Sequence, residues 1–298
     1  MIPIKAILRL LRFKQWTKNI FVFAALVFSK QLLNPDSVYL SLRAFFAFGF
    51  TASFIYVMND VADRERDRLH PKKRFRPIAS GEISLRAAFF IGAILLALIV
   101  VFVSGLDWRF VMCLALYLVM NLAYSFYLKD VVLIDVFVIA IGFMLRVIGG
   151  ALVLNVARSS WLILTTMFLS LFLGIAKRRG ELIALDDHTA PGKGNYHTRK
   201  VLEDYSIGFA EQMTTICAAG FVFSYALYTV SERTVKMFGT ENLIFTTPFV
   251  LYGVFRYLYL LHKKHLGENP TDVVLTDLPM LLNFAAYAIA MFAIIYLR

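Results

Sequence analysis

Asn59–Gly81 reads NDVADRERDRLHPKKRFRPIASG and directly follows an apolar run. Four acids (Asp60, Asp63, Glu65, Asp67) meet seven bases (Arg64, Arg66, Arg68, Lys72, Lys73, Arg74, Arg76), the densest charge in the chain. If the apolar helix continues through this stretch, each residue turns about 100°. Asn59, Asp63 and Asp67 then sit at 0°, about 40° and about 80°, with Asp60 near 100°. All four oxygen-bearing side chains share one arc at the mouth of a hydrophobic helix. Carboxylates about 4 Å apart repel by roughly 1 kcal/mol in water and about 4 kcal/mol near a protein surface. Such crowding needs a countercharge, and a hard divalent cation bridging to a phosphate suits an all-oxygen set; Mg²⁺ usually binds that way. The competing reading is a solvated helix end whose acids pair with neighbouring arginines.

The surrounding chain is a membrane protein by composition. Of its 298 residues, 59% are hydrophobic and 17% charged, and the mean hydropathy is +0.69. A soluble domain is about 45–50% apolar. The net charge of +11 would point to nucleic acid in a soluble protein. Here the bases cluster in short loops between apolar runs, so membrane topology and anionic ligands account for them and no nucleic-acid partner is expected. Cys113 and Cys217 lie within apolar runs and read as small core residues. The basic N-terminus lacks a convincing signal-cleavage pattern.

Residues 1–16 read as an interfacial amphipathic helix, with Ile4, Ile7, Leu8 and Leu11 opposite Lys5, Arg9 and Arg12. Nine apolar segments follow, at 17–33, 38–58, 86–105, 108–127, 131–155, 159–176, 208–230, 242–262 and 275–297. The first and sixth are short for a span and are candidates for tilting, breaking or shielding by neighbours. Of 31 Lys and Arg, 22 fall on the side of the N-terminus and 7 on the other, with Arg146 and Arg256 inside spans. That asymmetry predicts a cytoplasmic N-terminus and puts every long polar loop on the cytoplasmic face. The expected architecture is a single all-α transmembrane domain over 1–298, with catalytic loops at 59–86 and 177–207.

Within the first loop, Pro71 and Pro77 stop the helix, and Lys73 and Arg76 follow the acids closely enough to fold back over a phosphate. Arg64, Arg66 and Arg68 read as positive-inside anchors. The short second loop carries Tyr124 and Lys129; Lys129 is a phosphate contact or a snorkelling base. Asp135 and Arg146 lie inside the fifth segment, where ionisable groups face a cavity or a partner. Eleven residues apart, they share a helix face without reaching each other, and either line a pocket or pair with other helices. The third loop, Lys177 to Ser206, carries Lys177, Arg178 and Glu181 at a helix exit and Arg199 and Tyr205 before the seventh span. It reads as a cap over a polar site, with Arg suited to bidentate phosphate contacts, or as a basic loop. His188 and His197 lack metal-ligand spacing.

Nine spans with NDxxDxxxD after the second, followed by RPIASG, resemble the UbiA superfamily of intramembrane prenyltransferases over nearly the whole chain. RFKQWTKN at 12–19, YSFYLKDVVLIDV at 124–136, LRVIGGA at 145–151 and AKRRGEL at 176–182 look like its decaprenyl-phosphate phosphoribosyltransferase branch. The resemblance implies a bacterial inner-membrane enzyme whose nine transmembrane helices surround a central cleft opening to the cytoplasm. It implies transfer of a 5-phosphoribosyl group from phosphoribosyl pyrophosphate to a polyprenyl phosphate, with release of pyrophosphate. Mg²⁺ on Asn59, Asp60, Asp63 and Asp67 would hold the donor, with Lys73, Arg76 and Lys129 adding charge. Arg178, Arg199 and Tyr205 would position the ribose 5-phosphate or the lipid phosphate, with Lys14, Lys18, Tyr124, Asp135, Arg146, Lys177 and Glu181 as further substrate-binding candidates. An oligomer is compatible with the resemblance.

Two departures bear on the branch. Aromatic prenyltransferases of the superfamily carry a second acidic motif, DxxxD, after span six. This loop has Asp186–Asp187 and Glu203–Asp204, none at that spacing, which favours the phosphoribosyl branch. Phe13 stands where the branch often has Pro. The alternatives are a UbiA-type transfer of a prenyl group from its diphosphate to an aromatic or glycerol-phosphate acceptor and, more distantly, a transporter of an anionic solute. An odd span number and no evident inverted repeat argue against transport.

Overall fold

Short polar side chains at helix starts set much of this fold, because they take up the unpaired amides of the first turn. The computed structural model describes residues 3–71, 73–188, 200–202, 204–263 and 276–297, apart from the side chains of 184–188, 200 and 263. Its helices are α1 (Ile4–Leu11), α2 (Ala24–Phe28), α3 (Pro35–Ala62), α4 (Arg64–Leu69), α5 (Leu85–Val103), α6 (Trp108–Phe126), α7 (Ile134–Val153), α8 (Ser160–His188), α9 (Ile207–Val230), α10 (Glu232–Phe238), α11 (Thr247–Lys263) and α12 (Leu278–Tyr296). Asn34 accepts from the amides of Asp36 and Ser37 to start α3, with Pro35 in its first turn. Ser84, Asp107, Ser206 and Asp277 cap α5, α6, α9 and α12 in the same way. Among the described residues, eight helices are long and apolar enough to cross a membrane.

Two expected boundaries move. The sixth segment, expected at 159–176, is neither broken nor short. It continues as helix to His188, so the third polar loop begins a dozen residues later than the hydropathy placed it. Lys, Arg, Glu and Leu are good helix formers, and no proline interrupts AKRRGEL.

The first expected span, 17–33, is not one long helix. Phe13–Phe23 forms a 3₁₀ run and only Ala24–Phe28 is α-helical. A 3₁₀ helix repeats every three residues, and runs beyond three or four are uncommon. This eleven-residue run buries Trp16, Asn19 and Val22, a stripe at that spacing. Each lands on a feature built to receive it. The Trp16 indole N–H donates to Ser53 Oγ at 3.0 Å and its ring lies against Gly49, where a Cβ would come within 2.8 Å of it. Asn19 accepts from Arg146. The Val22 carbonyl packs onto Gly150, where any Cβ would overlap its oxygen. Tertiary partners therefore sustain a geometry that local propensity disfavours.

The chain forms two compact units, Met1–Leu128 with Leu145–Ala157, and Lys129–Met144 with Arg158–Arg298. In the first, Val22, Phe48, Ile55, Phe110, Tyr117 and Leu145 form one buried core. A second core, with Ala6, Leu10, Val57, Ile78, Ile83 and Ala88, seats α1 and the 78–83 turn on α3 and α5. In the second unit, α8 packs along α9, and Val136, Phe172, Ile175, Tyr257, Leu260 and Met280 fill the centre.

Gly150→Ala is expected to destabilise the protein by an amount at the upper end of the about 1–3 kcal/mol typical of overpacking. Gly253→Ala, whose Cβ would meet only Asn283 Nδ2 at 3.4 Å, should cost far less. Thermal unfolding of both variants in detergent measures the difference; equal losses would mean that the approach of Val22 to Gly150 does not shape the 3₁₀ run.

Candidate active site

At the end of α3 the helix stops at Ala62. Asp63 takes φ −86° and ψ 2°, and the six-residue α4 follows. The expected continuous helix is thus broken at Asp63, although the Asp67 amide still donates to the Asp63 carbonyl at 2.8 Å. Asp is among the poorer helix formers, which makes it a natural place to break.

Two of the acids are withdrawn from water. Asp60 is 2% and Asp67 3% exposed. Arg76 folds back as expected, but onto the acids themselves. Its Nη1 donates to Asp67 Oδ2 at 2.7 Å and to Asp60 Oδ1 at 3.2 Å. Arg12 reaches the same Asp60 oxygen at 2.6 Å and lies over the Tyr56 ring, 4.6 Å from its centroid. Breaking such a pair by removing one partner costs about 3–5 kcal/mol, because the other charge stays buried. The arginine-paired reading of the stretch therefore describes Asp60 and Asp67.

Whether these residues suit Mg²⁺ is a question of donor chemistry. The set is all oxygen, as a hard cation requires. Asn59 Oδ1 is buried with no hydrogen-bond partner, an acceptor withdrawn from water at a cost unless a ligand meets it. Those features fit. Asp60 and Asp67 are brought together on one Arg76 nitrogen. Among the described residues no three His, Cys, Asp or Glu side chains converge as a metal cage, and Arg76 stands between Asp60 and Asp67.

Deeper in the first unit, Arg146 is buried and bound to other helices. Its Nε donates to Asn19 Oδ1 at 2.7 Å and its Nη2 to the Tyr117 hydroxyl at 2.8 Å, with the guanidinium 4.6 Å from the Tyr117 ring centroid. In the second unit Asp135, fully buried, accepts from Arg178 Nε at 2.7 Å and from the Tyr205 hydroxyl at 2.9 Å. Arg178 also pairs with Glu181, and Tyr205 accepts the Leu133 amide at 2.9 Å. Burial pushes the Tyr205 phenol well above its usual range, so it stays a donor to Asp135. For both Asp135 and Arg146, pairing across helices describes the side chains.

The other expected site residues are more dispersed. Lys177 lies 3.9 Å from Glu181. Lys73 and Lys14 are exposed, and Lys18, Tyr124 and Lys129 are half-buried. Arg199 lies outside the described residues. Sequence reasoning assigned no site role to Arg12, Trp16, Asn19 or Tyr117. The three-residue spacing of Trp16, Asn19 and Val22 was a usable signal for the 3₁₀ stripe; nothing local marks Tyr117.

A model of the UbiA prenyltransferase family matches residues 19–296. The decaprenyl-phosphate phosphoribosyltransferase of Corynebacterium glutamicum is 32% identical over 276 residues, covering 91% of this chain and 80% of that protein. Its namesake in Mycolicibacterium smegmatis is 30% identical over 304 residues, covering 98% and 93%. A UbiA homologue from Archaeoglobus fulgidus, bound to GPP and Mg²⁺, has the same fold, with a TM-score of 0.68 at 20% identity over 97% of this chain and 99% of that one.

The buried pair in the second unit makes a measurable forecast. Asp135→Leu should cost about 3 kcal/mol, because it removes the buried carboxylate that faces the Arg178 guanidinium. Asp135→Leu with Arg178→Leu should lose less than the two single losses together, by at least about 1 kcal/mol. Unfolding of the three variants in detergent reads this coupling, and simple additivity would contradict it.

Proposed function

The chain belongs to the UbiA prenyltransferase family, and on that premise we propose that it transfers 5-phosphoribosyl from phosphoribosyl pyrophosphate to a polyprenyl phosphate. The observation that carries this reading is the buried carboxylate pair, Asp60 and Asp67, bridged by Arg76, together with the partnerless oxygen of Asn59, the residue before Asp60. Such a group offers oxygen ligands and a guanidinium together, which a departing diphosphate and its cation require. The names borne by relatives about 30% identical over most of the chain support the phosphoribosyl donor. So does the loop after α8, which has no DxxxD.

Asn59, Asp60, Asp63 and Asp67 would hold Mg²⁺, which when bound neutralises charge on the leaving diphosphate. Arg76 takes a guanidinium contact to the same oxygens, and Lys73 and Lys129 add positive charge. The acceptor phosphate is already ionised, so no strong base is needed. One of its oxygens forms the new bond to the anomeric carbon. The carbon–oxygen bond to pyrophosphate breaks, and pyrophosphate departs with the bonding pair. Lys14, Lys18, Tyr124, Arg146, Lys177 and Arg199 are the candidates for the 5-phosphate and lipid phosphate. Asp135, Arg178, Glu181 and Tyr205 serve this reading by holding the start of α7 to α8 and to the segment before α9. In this account the N-terminus and the acid cluster face the cytoplasm of a bacterial inner membrane, where the sugar donor is soluble and the lipid tail stays in the bilayer.

Purified protein given labelled phosphoribosyl pyrophosphate and a polyprenyl phosphate should move label into lipid, with one pyrophosphate released per product. Turnover only with a prenyl diphosphate and 4-hydroxybenzoate would contradict the reading. Asp63→Ala is the cleanest variant, because the Asp63 side chain carries none of the ion pairs that fix Asp60 and Asp67. Its turnover should fall at least about 100-fold with thermal stability unchanged. Removing Mg²⁺ with EDTA should stop the reaction, and Mg²⁺ should restore it.

A further inference from the structure

Arg12 occupies a strained position. It joins α1 to the 3₁₀ run with φ 51° and ψ 48°, a left-handed backbone costing a non-glycine residue about 1–2 kcal/mol. Side-chain bonds hold the junction there. The Leu11 carbonyl accepts from Ser53 Oγ, which in turn accepts from the Trp16 indole. The Arg12 guanidinium lies over Tyr56 and donates to Asp60. Ser53, Tyr56 and Asp60 stand three and four residues apart on α3, so a single helix face receives the whole junction.

Arg12 and Arg76 converge on one oxygen, Asp60 Oδ1. A divalent cation would bind such an oxygen at about 2.0–2.1 Å. It cannot share the oxygen comfortably with two guanidinium groups, since like charges so close repel strongly in a partly dry site. A diphosphate offers those guanidinium groups another bidentate anion. We infer that Arg12 is a built-in competitor of the divalent cation for Asp60. Without diphosphate it neutralises the acid; an incoming diphosphate takes the guanidinium and leaves Asp60 to the metal. This rests on Asp60 belonging to the metal and diphosphate site, and not on which group is transferred.

The consequence is a pair of effects of opposite sign. In nanodiscs without lipid substrate, Arg12→Gln should bind Mn²⁺ alone at least about fivefold more tightly than the native protein, read by electron paramagnetic resonance. With EDTA present, the same variant should bind inorganic pyrophosphate at least about fivefold more weakly. A residue with a purely structural role would weaken both or neither. Should Arg12→Gln not fold, Arg12→Lys, with its shorter reach, is expected to shift Mn²⁺ affinity in the same direction by less. Mn²⁺ binding that is unchanged or weaker in the variant overturns this inference alone. Absence of Mn²⁺ binding in the native protein, with or without pyrophosphate, overturns the metal reading of Asp60 as well.

Discussion

A carboxylate removed from water has to find a positive charge, and one guanidinium here serves two. Arg76 bridges Asp60 and Asp67, both almost fully buried. That bridge ties the end of α3 to α4 and to the turn that returns toward α5. With Arg12 added, the cluster also reaches the N-terminal helix and the 3₁₀ run. The same charges organise the backbone around them, so anything that drew on those arginines would act on elements far apart in the chain.

Close approach is the second constraint. The 3₁₀ run brings a backbone carbonyl onto Gly150 and an indole onto Gly49. Lipid offers no hydrophobic drive for helices to associate, so van der Waals packing and hydrogen bonds must do it, and small residues permit both. Arg146 shows the same economy. Its guanidinium bonds the Asn19 side chain of the 3₁₀ run and the Tyr117 hydroxyl of α6 while stacking on the Tyr117 ring. A buried cation thereby joins three elements of the first unit.

Much of this was legible in the residues. Hydropathy located eight of the nine expected spans as continuous helices, because twenty apolar residues have few other fates. That Arg76 folds back toward the acids was legible in the prolines behind NDxxDxxxD; that it pairs with Asp60 and Asp67 themselves was not. Pattern failed where tertiary partners overruled it. Residues 17–33 look like a short span by hydropathy, yet Trp16, Asn19 and Val22 follow a period of three and find partners distant in sequence. The end of α8 was misplaced because charged residues that are good helix formers look like a loop to a hydropathy scale. Arg12 was read as one more interfacial base, since nothing local reveals a carboxylate 48 positions away. Asp135 and Arg178 were both singled out, but their pairing with each other depends on helix packing that spacing alone does not encode.

On the inference above, diphosphate draws Arg12 and Arg76 off Asp60 and Asp67, and a divalent cation then joins Asp60, Asp63 and Asp67. Anomalous diffraction from crystals grown with Mn²⁺ and pyrophosphate tests it most directly. The account predicts a manganese peak within bonding distance of Asp60 and its neighbouring oxygen donors, with Arg12 and Arg76 turned onto pyrophosphate oxygens. A peak elsewhere, with both arginines still on Asp60, would contradict it.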